Sequence, residues 1–476
     1  MRPVPQGHEA NRRRAPRAGE GDRALTHEQR ARPALPGRGP RAAGEAAEEM
    51  SPPGGWILAG VRTPFAKAGS VFKRVPSYEL GRIAAAEVIA RAELDPERID
   101  EVVFGHCAMP AEAANSSRVV ALRAGVPERV PAVTVHRNCA SGMEAVANAC
   151  HRIGSGDAKL VLAGGMESMS QIPLQFQFSY SDFLEGLMRA RTPVARLGAM
   201  MKFRPKMLTP RIALAEGLTD LVCGLNMGQT AEVLAREFRI TREQQDAYAL
   251  QSHQRAIAAR ERLRDEIVPV YPGPGYAVVR DDVGPRDGQT IEALTKLKPY
   301  FDRKNGSVTV GNSCQVTDGA AALLVGDEET ANRWSMPPLG RIRSFAFAGL
   351  DPGRMGLGPV MAMAKALAKA QVKLTEIEVF EINEAFAAQV LACLAAAKSD
   401  TFARAELGLD KALGEIPMER LNVNGGAIAM GHPVGSSGAR LLLTTLHEMR
   451  RRGARLGLAS LCVGGGQGAA FVLERA

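Results

Sequence analysis

Cys139 stands where a short apolar segment passes into a segment with helical periodicity. The segment 132–135 is strand-like, and a helix is predicted over about 140–153. A thiol at the start of a helix lies near unpaired backbone N–H groups and the positive end of the helix dipole, which favour the thiolate. The position therefore predicts a nucleophilic cysteine with a lowered pKa. A buried structural cysteine is the alternative, and it is the usual fate of a lone cysteine.

Two glycine-rich turns in the second half of the chain carry two further reactive side chains. His432 lies in the turn 431–438 before a predicted helix, where a rigid backbone would hold the imidazole. Cys462 ends an apolar segment and is followed by Gly464 and two more glycines, whose N–H groups are suited to hold an oxyanion. Taken one at a time, these features are also compatible with a core or capping histidine and with a simple tight turn.

Together the three segments resemble the thiolase family, and the resemblance extends over residues 56–474. Four further segments match the family: Val61-Arg62-Thr63-Pro64-Phe65, Gly164-Gly165-Met166-Glu167-Ser168-Met169-Ser170, Asn383-Glu384-Ala385-Phe386 and Asn422-Val423-Asn424-Gly425-Gly426-Ala427. The resemblance implies an acyltransferase that cleaves 3-ketoacyl-CoA into acetyl-CoA and a shortened acyl-CoA, or runs the reverse Claisen condensation. The reaction would pass through an acyl-cysteine.

The resemblance also implies a role for each reactive residue. Cys139 matches the acylated nucleophile, and His432 matches the base that takes its proton and helps bind the thioester oxygen. Cys462 matches the acid/base that acts on the α-carbon of acetyl-CoA. Asn383 matches the residue that holds an oxyanion-hole water, while Gly464 and the Cys139 N–H match a second oxyanion hole. These residue types suit a reaction that needs a soft nucleophile, two oxyanion sites and a proton donor.

Coenzyme A is the co-substrate that the resemblance implies, with no tightly bound cofactor and no metal. The matching residues around the CoA arm and the acyl group are Ser313, Cys314, Val316, Met227, Met355 and Phe386. Two positions depart from the family pattern. Cys314 stands where the family usually has serine, and a thiol is a weaker hydrogen-bond partner. Asn226 stands where many short-chain thiolases have histidine.

The elements that must position these residues alternate between strand and helix, which predicts an α/β fold with a largely parallel sheet. Three elements of the first half recur in the same order in the second half, and this repetition indicates a duplicated unit. The resemblance implies the five-layer αβαβα thiolase arrangement with an inserted loop domain. The predicted strands are 56–61, 101–105, 132–135, 160–163, 378–381, 421–423 and 458–462, and the second-half helix lies near 436–450.

Four regions are predicted along the chain. Residues 1–49 have ten Arg, no Ser and almost no apolar periodicity, so they are predicted to be disordered. A start near Met50 is an alternative, and the seven acidic residues argue against a transit peptide. The first thiolase half spans 50–173 and is completed by 299–328. An inserted loop domain spans 174–298, with helices over 226–262, and the second half spans 336–476.

Composition narrows the class of protein. No stretch approaches the roughly 18 uninterrupted apolar residues of a membrane span. The net charge of +9 suits an anionic ligand such as CoA, and no base-reading motif supports nucleic acid. Seven scattered cysteines without a CxxC pair fit a reducing compartment. We expect a cytoplasmic protein in a bacterium or a mitochondrial one in a eukaryote.

Two insertions resemble one branch, the β subunit of the fatty-acid β-oxidation multienzyme (trifunctional) complex. Residues 184–216 mix apolar and basic side chains, and residues 398–413 lengthen the second half. The resemblance implies a homodimer or homotetramer and a hydratase/dehydrogenase α subunit as partner. It also implies contact of 184–216 with that partner or with a membrane surface. That branch often has histidine at position 383, and this chain has Asn383.

Three alternatives remain at this point. A biosynthetic acetoacetyl-CoA thiolase would use the same residues in the condensing direction. A β-ketoacyl synthase shares the fold and a cysteine nucleophile, but it would have histidine where Asn383 or Cys462 stands. A non-catalytic lipid carrier or scaffold of the same fold is the alternative of a different class. The presence of Cys139, His432 and Cys462 argues against it.

Overall fold

The computed structural model describes residues 55–476, so the predicted disorder of 1–49 lies outside the described residues. The apolar runs found in the sequence form strands of a mixed sheet, which confirms the α/β class. The prediction of a largely parallel sheet is wrong, because most neighbouring strands of this sheet are antiparallel. The strands are β1 (Trp56–Arg62), β2 (Ala66–Lys67), β3 (Glu101–Gly105), β4 (Ala132–Val135), β5 (Leu160–Ser168), β6 (Leu174–Gln175), β7 (Arg211–Ile212), β8 (Thr317–Gly326), β9 (Gly340–Gly349), β10 (Val379–Ile382), β11 (Leu456–Val463) and β12 (Gln467–Arg475).

Helices pack on both faces of this sheet, and others, among them α4 (Phe178–Arg189) and α5 (Pro193–Met200), lie in the region 174–298 without packing on it. In chain order the helices are α1 (Ser77–Arg91), α2 (Ser116–Arg123), α3 (Ser141–Gly154), α4 (Phe178–Arg189), α5 (Pro193–Met200), α6 (Ala213–Gly217), α7 (Met227–Glu237), α8 (Arg242–Leu263), α9 (Ile291–Thr295), α10 (Glu328–Asn332), α11 (Gly358–Ala370), α12 (Ala387–Ala397), α13 (Asp400–Phe402), α14 (Ala427–Met430) and α15 (Val434–Arg452). The helix predicted after Cys139 is α3, and the one predicted near 436–450 is α15.

The main sheet runs in the order β10-β11-β12-β9-β1-β8-β5-β3-β4, with β2 paired to β8. Its two halves have the same design. In the first half β3 is parallel to β5, which is antiparallel to β8. In the second half β10 is parallel to β11, which is antiparallel to β12. An antiparallel contact between β1 and β9 joins the halves. The topology therefore repeats, as the sequence repetition predicts.

Three hydrophobic clusters lie between the layers. One joins α1 and α2 to the first-half strands, and a second joins α11 and α12 to the second-half strands. The third cluster contains α3 and α15 with strands from both halves. The two central helices, α3 and α15, pack against each other. The helices that follow Cys139 and His432 are therefore held side by side in the middle of the molecule.

The predicted strand 421–423 is wrong. Leu421 forms a single parallel bridge to Phe380, and the chain then turns. Asn422 has a φ of +45°, a left-handed conformation outside the strand region. Its side chain accepts a hydrogen bond from the Ile382 N–H and donates one to the Ile382 carbonyl, both at 2.8 Å. The side-chain amide thus takes the place of a backbone ladder beside β10.

The region 174–298 contains the helices predicted over 226–262, which are α7 and α8. Its later part is tied to the first strand by a buried ionic cluster. Arg62 donates to Glu266 at 2.5 Å and to both carboxylate oxygens of Asp282 at 2.7 and 2.8 Å. The pairing satisfies a guanidinium that is fully buried.

Within residues 55–476, no helix has both the length and the apolar character that crossing a bilayer requires. The same part of the chain brings no three or more His, Cys, Asp or Glu side chains together as a metal site.

Candidate active site

Cys139 lies in the turn between β4 and α3, one residue before the helix cap. Asn138 takes a positive φ of +43° there, and its side chain donates to the Gly464 carbonyl at 2.7 Å. This bond links the Cys139 turn to the glycine turn after Cys462. The backbone amides of Gly464 and of Cys139 itself lie near enough to the Cys139 thiol to favour its thiolate form. The two amides matched to an oxyanion hole therefore lie beside the reactive sulfur.

The prediction of a lowered pKa for Cys139 is wrong. Burial raises the pKa of this thiol above its usual value, and the Gly464 and Cys139 amides beside it oppose the rise without cancelling it. Loss of water disfavours the thiolate more than two amides and a helix end favour it. The resting cysteine is consequently a neutral thiol that needs a base.

His432 occupies the turn between α14 and α15. Gly431 has a φ of +106°, and a Cβ there would come within 2.2 Å of the Thr317 side chain, so this turn requires glycine. The His432 N–H donates to the Gln315 carbonyl at 3.2 Å, and Nδ1 lies 2.6 Å from the Ser437 hydroxyl. Burial, with a contribution from Arg440, lowers the pKa of His432 to about 3.

The other ring nitrogen of His432, Nε2, is buried and has no partner among the described residues. With Ser437 fixing Nδ1, the neutral ring presents Nε2 to whatever occupies the site. A neutral imidazole with a free nitrogen is able to accept a proton from a thiol.

Cys462 is the last residue but one of β11. Burial, followed by the nearby thiols of Cys139 and others, raises its pKa well above the usual value. It packs in an apolar cluster with Met355, Phe386 and the partly buried Met227. Cys462 is therefore a protonated thiol at neutral pH, close to Cys139 and surrounded by apolar side chains.

Asn383 directly follows β10. Its N–H donates to the Ser460 carbonyl at 2.9 Å, which places it beside the strand that ends in Cys462. Both polar atoms of its side chain are buried and have no partner among the described residues. Buried amide groups are rarely left unpaired, so this side chain is arranged to bind something else.

Three of the six residues predicted around the CoA arm and the acyl group, Ser313, Cys314 and Val316, lie next to this cluster on one loop, whereas the other three belong to the cluster itself. Cys314 donates its backbone N–H to the Ala385 carbonyl at 2.9 Å, and Ser313 forms a bridge to Phe386. The Ser313 hydroxyl donates to the Thr309 carbonyl at 2.6 Å, which turns it into its own loop. Burial is the main reason why the pKa of Cys314 is raised to about 12, and the nearby Cys139 thiol contributes to the rise. Val316 is half-buried two residues further along.

A cleft of about 970 Å³ opens onto Cys139, and we call it the Cys139 cleft. Cys139, Met227 and Gly464 are among the residues that line it. Other parts of its wall come from the segments 169–175 and 213–222, together with the turn after β3. His432, Cys462 and Asn383 are not among the described residues that line this cleft, and each is buried. The thiol matched to the nucleophile is thus the accessible member of the group.

Glu167 was not recognised in the sequence as a site residue, although it lies in one of the quoted segments. This carboxylate is fully buried in β5 and accepts N–H bonds from Cys107, Ala108 and Gly435 at 3.0 to 3.1 Å. It links the turn beside Cys139 to the start of α15, which follows His432. A charged residue in an otherwise buried strand is the signal that identifies it.

Glu384 is a second residue that sequence reasoning left without a role. Its buried carboxylate accepts from the Ser252 hydroxyl at 2.6 Å, from the Tyr248 hydroxyl and the Asn422 amide at 3.1 Å, and from the Ile428 N–H at 3.2 Å. These bonds fix the residue adjacent to Asn383 against α8 and α14.

The fold and the site together define a class: an α/β acyltransferase built from two similar halves, with a thiol at the junction of the two central helices. Family models agree with this class. Thiolase, N-terminal domain, matches residues 56–329, and Thiolase, C-terminal domain, matches residues 336–475. The chain belongs to the thiolase family.

Several characterised thiolases are similar along nearly their whole length. The 3-ketoacyl-CoA thiolase of Yersinia enterocolitica is 41% identical over 421 residues, which is 88% of this chain and 96% of that protein. The acetyl-CoA acetyltransferase of Bacillus anthracis superposes with a TM-score of 0.77 at 37% identity, covering 90% of this chain and 100% of that one. Human mitochondrial 3-ketoacyl-CoA thiolase in complex with CoA superposes with a TM-score of 0.75 at 36% identity, covering 89% of this chain and 98% of that one.

Proposed function

We propose that this thiolase cleaves 3-ketoacyl-CoA with CoA to give acetyl-CoA and an acyl-CoA shortened by two carbons, in fatty-acid β-oxidation. One observation carries the proposal. A neutral Cys139 thiol is grouped with buried polar atoms that have no partner among the described residues, namely Nε2 of His432 and both side-chain atoms of Asn383. The names of the similar proteins from Yersinia enterocolitica and human mitochondria support this substrate class.

Cleavage starts when the Cys139 proton passes to Nε2 of His432 and the sulfur attacks carbon 3 of the substrate. The new oxyanion accepts hydrogen bonds from the N–H groups of Cys139 and Gly464, which lie beside the sulfur. The C2–C3 bond then breaks, and its electron pair leaves on the acetyl-CoA enolate. His432, now protonated, and a water held by Asn383 stabilise the enolate oxygen.

Cys462 gives its proton to carbon 2 of the enolate, and acetyl-CoA leaves. The raised pKa of Cys462 suits this step, because a thiol that is protonated at neutral pH can act as an acid. In the second half-reaction a CoA thiol gives its proton to the Cys462 thiolate and attacks the acyl-Cys139 carbonyl. The acyl group moves to CoA, and the departing Cys139 thiolate takes back the proton held by His432, which restores the three neutral groups of the resting state.

The test measures products. Purified protein is incubated with a 3-ketoacyl-CoA and CoA, and acetyl-CoA and the shortened acyl-CoA are identified by mass spectrometry. Cys139→Ser should abolish both products, whereas Cys223→Ser, at a half-buried thiol outside the Cys139 cleft, should not. Product formation that survives in Cys139→Ser contradicts the proposal. A malonyl-CoA arm that releases CO₂ would instead indicate a β-ketoacyl synthase.

The similarity to the Bacillus anthracis acetyl-CoA acetyltransferase keeps a second function open, the biosynthetic condensation of two acetyl-CoA molecules. The same residues perform it in reverse, with Cys462 removing the α-proton. The two functions are separated by the preferred substrate. A β-oxidation enzyme favours longer 3-ketoacyl-CoAs for cleavage, and a biosynthetic enzyme is restricted to acetoacetyl-CoA.

We further propose that the helical hairpin 178–208, formed by α4, α5 and the turn after them, rests on an anionic membrane surface. Its apolar side chains are exposed: Met188, Val194, Leu197, Met200 and Met201 are between 58% and 84% accessible. Residues 178–216 carry seven basic and three acidic side chains. An amphipathic helix with basic flanks binds such a surface. The resemblance to the β subunit of the trifunctional complex supports a second candidate for this surface. That candidate is a hydratase/dehydrogenase α subunit of a β-oxidation complex.

A further inference from the structure

The two amides beside the Cys139 sulfur belong to opposite halves of the chain. One is the N–H of Cys139 itself, in the turn between β4 and α3, and the other is the N–H of Gly464, in the turn between β11 and β12. Two amides stabilise one oxyanion well only when their positions are fixed in advance. A contact between the two turns must therefore keep these amides at a constant separation.

The turn 464–466 consists of three glycines, and two of them have positive φ angles, +86° and +75°. Glycine has the widest range of backbone conformations of any residue, so this turn needs support from outside. Two of its carbonyls receive that support. The Gly466 carbonyl accepts the Leu350 N–H at 2.8 Å, and the Gly464 carbonyl accepts the side-chain amide of Asn138 at 2.7 Å. The second bond comes from the residue that directly precedes the nucleophile.

The backbone of Asn138 is itself held on both sides. Its N–H donates to Nδ1 of His136 at 3.2 Å, and its carbonyl accepts the Ser141 hydroxyl at 2.7 Å and the Cys107 thiol at 3.2 Å. Its φ of +43° lies in the left-handed region, which asparagine enters more readily than most residues. A short side chain with an N–H donor therefore extends from a fixed backbone to the glycine turn.

One further side chain joins the same two regions. Arg137 donates to the side-chain oxygen of Gln467 at 3.1 Å and also to Glu144 at 2.5 Å. Gln467 is the first residue of β12 and lies beyond the glycines, so this bond does not hold their carbonyls. Among residues 55–476, no backbone–backbone hydrogen bond joins the two turns. Within that part of the chain, the direct hydrogen bond from the nucleophile's turn to Gly464 is the one that Asn138 makes.

We infer that Asn138 is a positioning residue for the acylation of Cys139, because its side chain fixes the glycine turn and keeps the Gly464 N–H where the oxyanion forms. The inference rests on the proposed thiolase function and adds a residue that acts through another. In acylation the Cys139 sulfur bonds to the acyl carbonyl carbon, the bond from that carbon to the CoA sulfur breaks, and the Cys139 proton ends on the CoA thiol. The carbonyl oxygen is negative between these two events, and a displaced amide stabilises it less.

The experiment measures single-turnover acylation by acetyl-CoA, with acid quenching and mass spectrometry of the intact protein. Asn138→Gly allows the positive φ and removes the bond. The rate constant should fall by about tenfold or more, which is part of the roughly 10²–10³-fold loss typical of removing a whole oxyanion donor. The acetyl-CoA concentration that gives half the maximal rate should change by less than about twofold, because the oxyanion contact acts in the transition state.

Gln371→Gly is the matched control. Gln371 is exposed, has a positive φ of +54° and lies outside the Cys139 cleft. Its replacement by glycine should leave the acylation rate constant unchanged. A second variant, Asn138→Asp, keeps the shape of the side chain and tolerates the same φ, but it places a carboxylate opposite the Gly464 carbonyl. It should slow acylation at least as much as Asn138→Gly.

Two readouts separate positioning from a loss of folded protein. Partial unfolding lowers the amount of protein that becomes acylated, whereas a displaced amide lowers the rate constant and leaves the amount unchanged. The second readout is a double-mutant cycle with Gly464→Ala, at a glycine without a positive φ. The losses in the two single variants should be less than additive, because Asn138 acts through Gly464.

Rate constants within about twofold of the wild-type value in both Asn138 variants overturn the inference. Full additivity between Asn138→Gly and Gly464→Ala overturns it as well, since the two residues would then act independently. Either result leaves the thiolase function intact if the wild-type protein is acylated on Cys139. Absence of acylation in the wild-type protein contradicts the proposed function itself, on which the inference rests.

Discussion

Cys139, His432 and Cys462 are each surrounded by protein, and the loss of water acts on their three pKa values in two directions. It raises the pKa of both thiols and lowers that of the imidazole to about 3. All three groups are therefore neutral at pH 7. A buried site without charge at rest places its hydrogen-bond donors where negative charge develops during the reaction. The proton of Cys139 must move during the attack, because no thiolate is present beforehand.

The first prediction concerns the nucleophile. Incubation with an acyl-CoA should place the acyl mass on the peptide that contains Cys139, because its sulfur lines the cleft and Cys462 does not. The rate of alkylation of Cys139 by iodoacetamide should rise with pH beyond the usual cysteine pKa, as the raised pKa requires. Acyl mass found only on the Cys462 peptide, or a fully developed thiolate at pH 7, would contradict the assignment.

The second prediction separates the two thiols. Cys462→Ala should retain burst acylation of Cys139 from an acyl-CoA, while condensation and cleavage slow by several orders of magnitude because carbon 2 lacks its proton donor. Cys393→Ala, at a buried thiol that bonds to the Gly356 carbonyl, serves as the control for the loss of a nearby sulfur. Equal loss of acylation and condensation in Cys462→Ala would show that the two thiols do not have separate catalytic roles.

At the scale of elements, the site depends on how two turns are held against each other. Glu167 in β5 bonds to the turn after β3 through Cys107 and Ala108, and to the first turn of α15 through Gly435. The Cys107 thiol donates a hydrogen bond to the Asn138 carbonyl at 3.2 Å, and Asn138 directly precedes Cys139 in the chain. The carboxylate therefore positions the turns that hold Cys139 and His432 without belonging to either.

The third prediction tests this link. Glu167→Gln replaces an acceptor oxygen by an N–H₂ group that faces backbone donors, so acylation should slow by on the order of tenfold or more. Burial raises the pKa of Glu167 to about 7, so in the wild type protonation below that pH should also slow acylation. The variant should lose this dependence. Glu87→Gln, in an exposed ion pair with Arg91, is the control. A pH profile that the Gln variant leaves unchanged would rule out this role.

The sequence predicts the elements of this fold better than it predicts the contacts between them. Apolar runs place β1, β3, β5 and β11 because strands that are largely buried must be apolar. The apolar run of β4 also places that strand, although β4 is only partly buried. The prediction of a strand over 421–423 is wrong because the Asn422 side chain takes the place of backbone ladder bonds, and a hydrophobic pattern does not reveal a side-chain hydrogen bond of this kind. The predicted pKa of Cys139 is wrong for a related reason. The helix end is local and visible in the sequence, but burial depends on segments more than 300 residues apart, such as Gly464.

At the scale of the whole molecule, the exposed apolar side chains are concentrated on one projection. The sequence places a helical stripe over 184–216, and the structure divides it between α4, α5 and the following turn. Arg189 pairs with Glu185, while Arg191, Arg196 and Lys202 have no acidic partner among the described residues. Apolar and unpaired basic side chains therefore lie together on this hairpin, close to the segment 213–222 that lines the Cys139 cleft.

The last prediction is that this hairpin, and no other basic surface of residues 55–476, brings the enzyme to anionic membranes. Changing Arg189, Arg191, Arg196 and Lys202 to Glu should strongly weaken binding to vesicles that contain anionic lipid, because each basic residue near such a surface contributes about 1 kcal/mol. Cleavage of a soluble short-chain substrate should persist, since none of the four residues lines the cleft. Lys73, Arg74, Lys365 and Lys369 are exposed elsewhere, and their change to Glu gives a control of equal charge. Binding is measured by co-sedimentation at low salt, where electrostatic attraction is least screened.

Equal binding by the two charge-reversed variants would refute the membrane assignment. Loss of association with a hydratase/dehydrogenase α subunit, with vesicle binding unchanged, would assign the hairpin to that partner instead.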